Sequence, residues 1–104
     1  PFKRLNDIKK INSKLKKNQK ITIIGGGYTG IEITGILAQK QKYNITLIHA
    51  GNDLLNNKLT GKKIENYLKK QNVSIIKGTY VKSCDKNSVK LSDGKKIYTN
   101  LIKI

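Results

Sequence analysis

The spacing of apolar residues changes several times along this chain, and each change marks an element. Leu5, Ile8, Ile11 and Leu15 recur at helical intervals, which predicts a helix over 6–17 with Asn6 or Asp7 as its cap. Its apolar stripe is narrow and its other faces carry lysines, so it is expected at the edge of the domain. Lys20-Ile21-Thr22-Ile23-Ile24 is a β-branched run without polar alternation, the pattern of a strand covered on both faces. From Thr29 to Lys40 the period is helical again, with Ile31, Ile33, Ile36 and Leu37 as apolar positions. Small residues recur four apart at Gly30, Thr34 and Ala38, and at Gly27 and Gly35 on either side of Ile31. They predict close contact between this helix and a sheet. Such contact would account for Gly35, which costs about 1 kcal/mol of helix propensity relative to Ala.

Asn44 to His49 reads as a second strand, 50–57 as a loop, and Leu59 to Lys70 as a helix with Ile64, Tyr67 and Leu68 facing inward. Val73 to Ile76 reads as a third strand. Strand–helix–strand–helix–strand predicts parallel pairing with right-handed crossovers. After Lys77 the pattern shortens: Tyr80 to Cys84, Ser88 to Leu91 and Lys96 to Tyr98 are separated by Asp85-Lys86-Asn87 and Ser92-Asp93-Gly94. Asp-Gly between alternating runs signals a hairpin. The expected fold is therefore α/β and three-layered, with a central parallel sheet, an antiparallel β-meander on one side and a last strand from Leu101 to Ile104. In one domain of 104 residues, 1–19 form a leading helix and linker, 20–77 a βαβαβ core, and 78–104 the meander and last strand.

The first strand runs directly into Gly25-Gly26-Gly27-Tyr28-Thr29-Gly30, which satisfies G-x-G-x-x-G. That string alone is weak, but a strand before it, a helix after it and a βαβ unit around it are the context of a Rossmann-type dinucleotide site. Gly25 would allow the tight turn, Gly27 would let the backbone reach a pyrophosphate, and Gly30 would let helix and strand touch. A pyrophosphate would meet free N–H groups and the positive end of the helix dipole, so Gly25, Gly26, Gly27, Tyr28, Thr29 and Gly30 are the expected cofactor-binding residues. A glycine-rich turn that merely connects strand to helix is the plainer reading of the same residues.

The segment Gly25 to Leu37 resembles the NAD(P)H-domain fingerprint of flavoproteins with two dinucleotide-binding domains, the pyridine nucleotide–disulfide oxidoreductase superfamily. Lys69 to Gly78 and the meander from Val89 to Ile97 resemble the same group. Within it, Tyr28-Thr29-Gly30-Ile31-Glu32 and Ile48-His49-Ala50 are most similar to type II NADH dehydrogenases and ferroptosis-suppressor-type quinone reductases. The resemblance implies that the chain binds NADH or NADPH and presents the nicotinamide to FAD, with FAD held by an FAD domain of the same parent chain. It implies that Glu32 lies near nicotinamide and flavin and holds the ring for hydride transfer, and that Tyr28 covers the flavin until nicotinamide displaces it. Against these stand a Glu favoured at a helix start by the dipole and a loop tyrosine with no gating role. His49, 24 residues after Gly25, stands where an acid usually bonds the adenosine ribose. A neutral imidazole can share one hydrogen bond with a hydroxyl and, protonated, attract a 2′-phosphate, so weak discrimination between NADH and NADPH is expected.

Composition adjusts this picture only slightly. The net charge is +16, but all except one of the 22 basic residues are lysines, spread along the chain among 16 Ile and 11 Asn. These residues share AT-rich codons, base readout favours Arg, and no aromatic–basic stacking pattern accompanies the lysines. Nucleic acid is therefore not the expected partner. The lone Cys84 can form neither an internal disulfide nor a redox pair, and no metal-ligand spacing is present. Without a secretory pattern or an apolar run near the roughly 18 residues a span needs, the expected place is the cytoplasm, with peripheral membrane attachment of the parent protein left open. The start at Pro1-Phe2, the lack of Met and the apolar end Leu101 to Ile104 suggest a piece of a longer polypeptide; the resemblance implies that the whole is an FAD-dependent oxidoreductase and that this domain by itself is inactive. A non-catalytic nucleotide-sensing Rossmann module, a pyridine nucleotide–disulfide reductase domain and a basic docking domain are the alternatives.

Overall fold

The computed structural model describes residues 18–103, with backbone alone at Leu101 and Lys103. The helix expected over 6–17 and the final Ile104 lie outside the described residues. Strands β1 (Lys20–Ile24), β2 (Asn44–His49), β3 (Ser74–Lys77) and β7 (Leu101–Lys103) form a parallel sheet in the order β3-β2-β1-β7. Strands β4 (Val81–Cys84), β5 (Ser88–Leu91) and β6 (Lys96–Tyr98) form an antiparallel sheet in sequence order. Helix α1 (Tyr28–Gln39) joins β1 to β2, and helix α2 (Lys58–Lys70) joins β2 to β3 after a single 3-10 turn at Leu54–Asn56.

The register explains why the strands are apolar on both faces. Ile23 lies beside Leu47, which lies beside Ile75, and this row faces the helices. Ile21, Ile23, Ile45 and Leu47 pack there with Ile33, Leu37 and Ala38 of α1 and Leu68 of α2. One residue further along, Ile24, Ile48 and Ile76 form a row on the opposite face, packed against Val89, Leu91 and Ile97 of the meander. The layers are thus helices, parallel sheet and antiparallel sheet, the expected α/β arrangement. Each fully buried aliphatic side chain contributes roughly 1.5–3 kcal/mol relative to exposure.

The meander turns are built from their own side chains. The Asp85 carboxylate accepts from the N–H groups of Asn87 and Ser88 and from Ser88 Oγ, at 2.8–3.0 Å. These bonds hold its carboxyl below the usual range. At the next turn Gly94 adopts φ +92°, its N–H donates to Leu91 C=O, and Asp93 accepts from Lys95 N–H.

The last strand, expected after the meander, returns to the parallel sheet, where Leu101 lies beside Ile21 and the Asn100 side chain accepts from Lys20 N–H. Two details differ from the sequence expectation. Tyr67 is half exposed rather than inward, because Gly61, Ile64 and Leu68 occupy the sheet-facing side of α2 and Tyr67 falls a quarter turn away. Gly35 is not at a close contact: a methyl group there would meet nothing within 4 Å. Only the stripe of Gly30, Thr34 and Ala38 packs, with Thr34 Oγ1 bonded back to Gly30 C=O at 2.7 Å.

Two predictions arise here. Gly35→Ala should raise stability by about 1 kcal/mol, since helix propensity improves and no neighbour objects. A lower unfolding midpoint in urea would contradict that. The second concerns Glu65, which joins α2 to β3 by accepting from Lys77 Nζ at 2.6 Å and Lys69 Nζ at 2.9 Å. The Lys77 bond, then the Lys69 bond, holds its carboxyl below the ordinary 4.5. A carboxylate lowered on folding stabilises above its unfolded value and loses that contribution as pH falls through its folded value. Glu65→Gln should therefore cost about 1 kcal/mol at neutral pH and nothing once the wild-type carboxylate is protonated. Urea unfolding across the acid range checks this, and a pH-independent difference would contradict it.

Candidate functional site

The site begins at the end of β1. Gly25 turns the chain with φ +111°, a conformation that side-chain-bearing residues rarely adopt, and its N–H donates to Ile48 C=O at 2.7 Å. Two residues later, Gly27 is the N-cap of α1 in extended conformation. The first intrahelical bond runs from Ile31 N–H to Gly27 C=O at 3.0 Å. The N–H groups of Tyr28, Thr29 and Gly30 precede that bond, no side chain caps them, and no acid occupies the first turn. An uncapped helix start directed past the C-terminal edge of a parallel sheet favours an anion through both its open donors and its dipole.

Two glycines permit this arrangement for different reasons. A Cβ on Gly30 would lie 1.9 Å from the Gly25 carbonyl oxygen, so α1 and the turn touch backbone to backbone. A Cβ on Gly27 would meet nothing within 4 Å, so the space beside its backbone is open to a ligand. Between them lies a cleft of about 310 Å³, lined by Ile23, Ile24, Gly25, Tyr28, Thr29 and Ile33 among others. That volume is at the lower end for small-molecule sites. A hollow of about 370 Å³ on the meander, beside Cys84, Lys90 and Lys96, has no helix start directed into it.

The fingerprint residues Gly25, Gly27, Tyr28, Thr29 and Gly30 therefore converge on one cleft. Glu32 is not among the residues lining it; it lies four residues beyond Tyr28, so the two share an exposed side of α1. Tyr28 is 81% exposed. Gly26 is buried and turned away, its N–H donating to His49 Nδ1 at 3.1 Å and its C=O accepting from Leu55 N–H at 2.9 Å. The Gly26 N–H is therefore occupied within the protein. His49, expected to share a hydrogen bond with the ribose, has its Nε2 2.8 Å from Asp53 C=O. Both ring nitrogens are bonded to main chain.

Residues absent from the sequence reading hold this corner together. Leu54 is fully buried in the helical core although it sits in a polar loop. A Cβ on Gly61 would lie 2.3 Å from Leu54 C=O, so a glycine lets α2 cross that loop closely. Asn57 caps α2 by accepting from Thr60 N–H at 3.0 Å. The cap was legible as an Asn just before a helix, whereas Gly61 and Leu54 carry no local signal of their pairing.

The family model of pyridine nucleotide-disulphide oxidoreductases matches residues 2–104. The chain belongs to that family. Among curated members it is 35% identical over 81 residues to apoptosis-inducing factor homolog A of Dictyostelium discoideum, covering 68% of this chain and 20% of that protein. Its fold superposes on putidaredoxin reductase in a covalent complex with putidaredoxin, with a TM-score of 0.84 and 24% identity over 95% of this chain. It superposes likewise on NDH2 from Plasmodium falciparum in complex with NADH, with a TM-score of 0.76 and 21% identity over 96% of this chain. The chain spans 26% of each of those two structures. The family match agrees with the superfamily drawn from the fingerprint. Among the described residues, no helix is long and apolar enough to cross a membrane.

The close-packed Gly30 and the open Gly27 give opposite predictions. Gly30→Ala should destabilise by at least about 2 kcal/mol, because backbone must move to admit the methyl group. Gly27→Ala should stay within about 1 kcal/mol of wild type, the loss expected at an N-cap. Chemical unfolding of both variants checks the contrast, and equal midpoints would show that the approach of α1 to Gly25 is not tight.

Proposed function

We propose that this chain binds NADH or NADPH and presents the nicotinamide for hydride transfer to FAD, as the pyridine-nucleotide half of a flavin-dependent oxidoreductase. One observation carries the proposal: the uncapped start of α1 stands beside Gly27, whose missing side chain leaves its backbone open. The fit to a pyrophosphate is good, since the N–H groups of Tyr28, Thr29 and Gly30 can donate and no acid in the first turn repels it. Bound dinucleotide would supply the hydride chemistry; the protein supplies position and charge.

In this reading Thr29 and Gly30 lie at the phosphates, and the exposed pair Tyr28 and Glu32 lies on the side of α1 where nicotinamide meets flavin. The Glu32 carboxylate accepts from the carboxamide and orients the ring, while Tyr28 excludes water from the flavin face until the nicotinamide arrives. FAD belongs to a partner domain of a longer chain, and this chain alone is inactive. The site of action is cytoplasmic, with peripheral attachment to a membrane compatible with the basic surface. The bound NADH of the NDH2 relative supports the cofactor assignment. A purely sensory nucleotide module is disfavoured, because it has no use for a carboxylate beside the nicotinamide.

Calorimetric titration tests the binding. NADH should bind, and Gly27→Ala should weaken it by about tenfold or more, each tenfold corresponding to about 1.4 kcal/mol. Failure to bind at millimolar NADH would end the proposal. In the full-length protein, Glu32→Ala should slow flavin reduction in stopped flow by about tenfold or more at saturating NADH. An unchanged rate would remove Glu32 from the mechanism.

A further inference from the structure

We propose that His49 is a positioning residue of the glycine-rich turn rather than a reader of the cofactor's ribose; the functional part of this inference rests on the nucleotide-binding reading above. The ring is placed by chemistry that leaves one tautomer. The Gly26 N–H can only donate, so His49 Nδ1, at 3.1 Å, accepts. The Asp53 carbonyl can only accept, so Nε2, at 2.8 Å, carries the hydrogen. A neutral imidazole has one donor and one acceptor, and both are used. Nothing in the plane of the ring remains for a ribose hydroxyl or a 2′-phosphate.

The surroundings are shaped to that ring. A Cβ on Gly26 would lie 2.8 Å from His49 Cγ and Nδ1, and one on Gly51 would lie 3.0 Å from Nε2. Two glycines therefore make the slot in which the imidazole lies. Gly26 is held from the other side by Leu55 N–H on its carbonyl, at 2.9 Å. Leu55 and Asn56 take φ of 58° and 51°, a left-handed conformation that persists only where surrounding contacts enforce it. The bonds from Nε2 to Asp53 and from Leu55 to Gly26, together with buried Leu54, are those contacts.

His49 thus bridges two segments that flank the candidate dinucleotide site: the turn before α1 and the loop after β2. Its bond to Gly26 takes that N–H away from the anion and fixes how the following N–H groups present themselves. Loss of the ring should disturb the pyrophosphate cradle and leave unchanged whatever distinguishes NADH from NADPH. His49→Glu would place a second acceptor against the Asp53 carbonyl, so an acid here would loosen the turn even if it gained a ribose contact.

The test uses the full-length protein and two variants. Asn places its Oδ1 near the position of Nδ1 and keeps the Gly26 bond, whereas Leu keeps bulk and loses both bonds. His49→Leu should weaken NADH and NADPH alike by about tenfold, the scale of a broken hydrogen bond, and His49→Asn should recover most of that loss. In ¹⁵N-histidine NMR, the His49 signal should be that of the Nε2–H tautomer, and the Gly26 amide should shift in the Leu variant more than in the Asn variant. A large change in the NADH-to-NADPH ratio, an Asn variant no better than Leu, or the Nδ1–H tautomer would overturn the proposal. If the wild type binds neither nucleotide, the proposed function fails, while the tautomer and the Gly26 amide still decide the role of the ring. If the Leu variant does not fold, the wild-type tautomer and the Asn variant decide it.

Discussion

The approach of α1 to the end of β1 is the constraint on which the rest of the molecule depends. Backbone meets backbone where Gly30 faces the Gly25 carbonyl, with no room for a methyl group. That contact sets the height of the helix above the sheet and so the depth at which Ile33, Leu37 and Ala38 enter the core. It also places the open N–H groups of the first turn immediately beyond the sheet edge. A helix standing one carbon further away would lose dispersion contacts along its length and would direct its dipole past the cleft rather than into it.

The two faces of the parallel sheet serve different ends. The helical face carries most of the aliphatic core, while the opposite face is closed by a small antiparallel sheet resting on Ile24, Ile48 and Ile76. Because β1 and β2 are covered on both faces, their C-terminal ends are stiff supports. The glycine turn leaves β1, and His49 stands at the end of its neighbour β2. The charge of Lys77, next along the sheet from His49, is drawn to Glu65 on α2.

Much of this was legible in the sequence because it is local. β-branched runs declared the strands, the return of helical spacing declared α1 and α2, and Asp93-Gly94 declared a hairpin. Their observed ends lie within a residue or two of those expected. The fingerprint was legible for the same reason, as a short string in the right context. What was missed depends on partners far along the chain. Nothing in Leu101-Ile102-Lys103 tells that it pairs with Ile21, and nothing near His49 tells that its ring meets Gly26, 23 residues earlier. Gly35 and Tyr67 were misplaced because helical spacing defines a face broadly, whereas packing decides within a fraction of a turn.

The place of β7 bears on how the molecule is made. β1 is paired on one side by β2, its neighbour after one helix, but on the other by a strand 80 residues later. A ribosome delivers residues in order, so β1 emerges long before the partner that will cover its second edge. Until then the Lys20–Ile24 edge is an open ladder of amides on an apolar strand, the kind of surface that recruits other nascent chains. Closing a loop of that length is slow compared with forming α1 or the meander hairpins. The strand that ends in the glycine turn is therefore sealed last. Chaperone dependence and aggregation during synthesis should be governed by the arrival of residues 101–103 rather than by the far larger part of the sequence that folds before them.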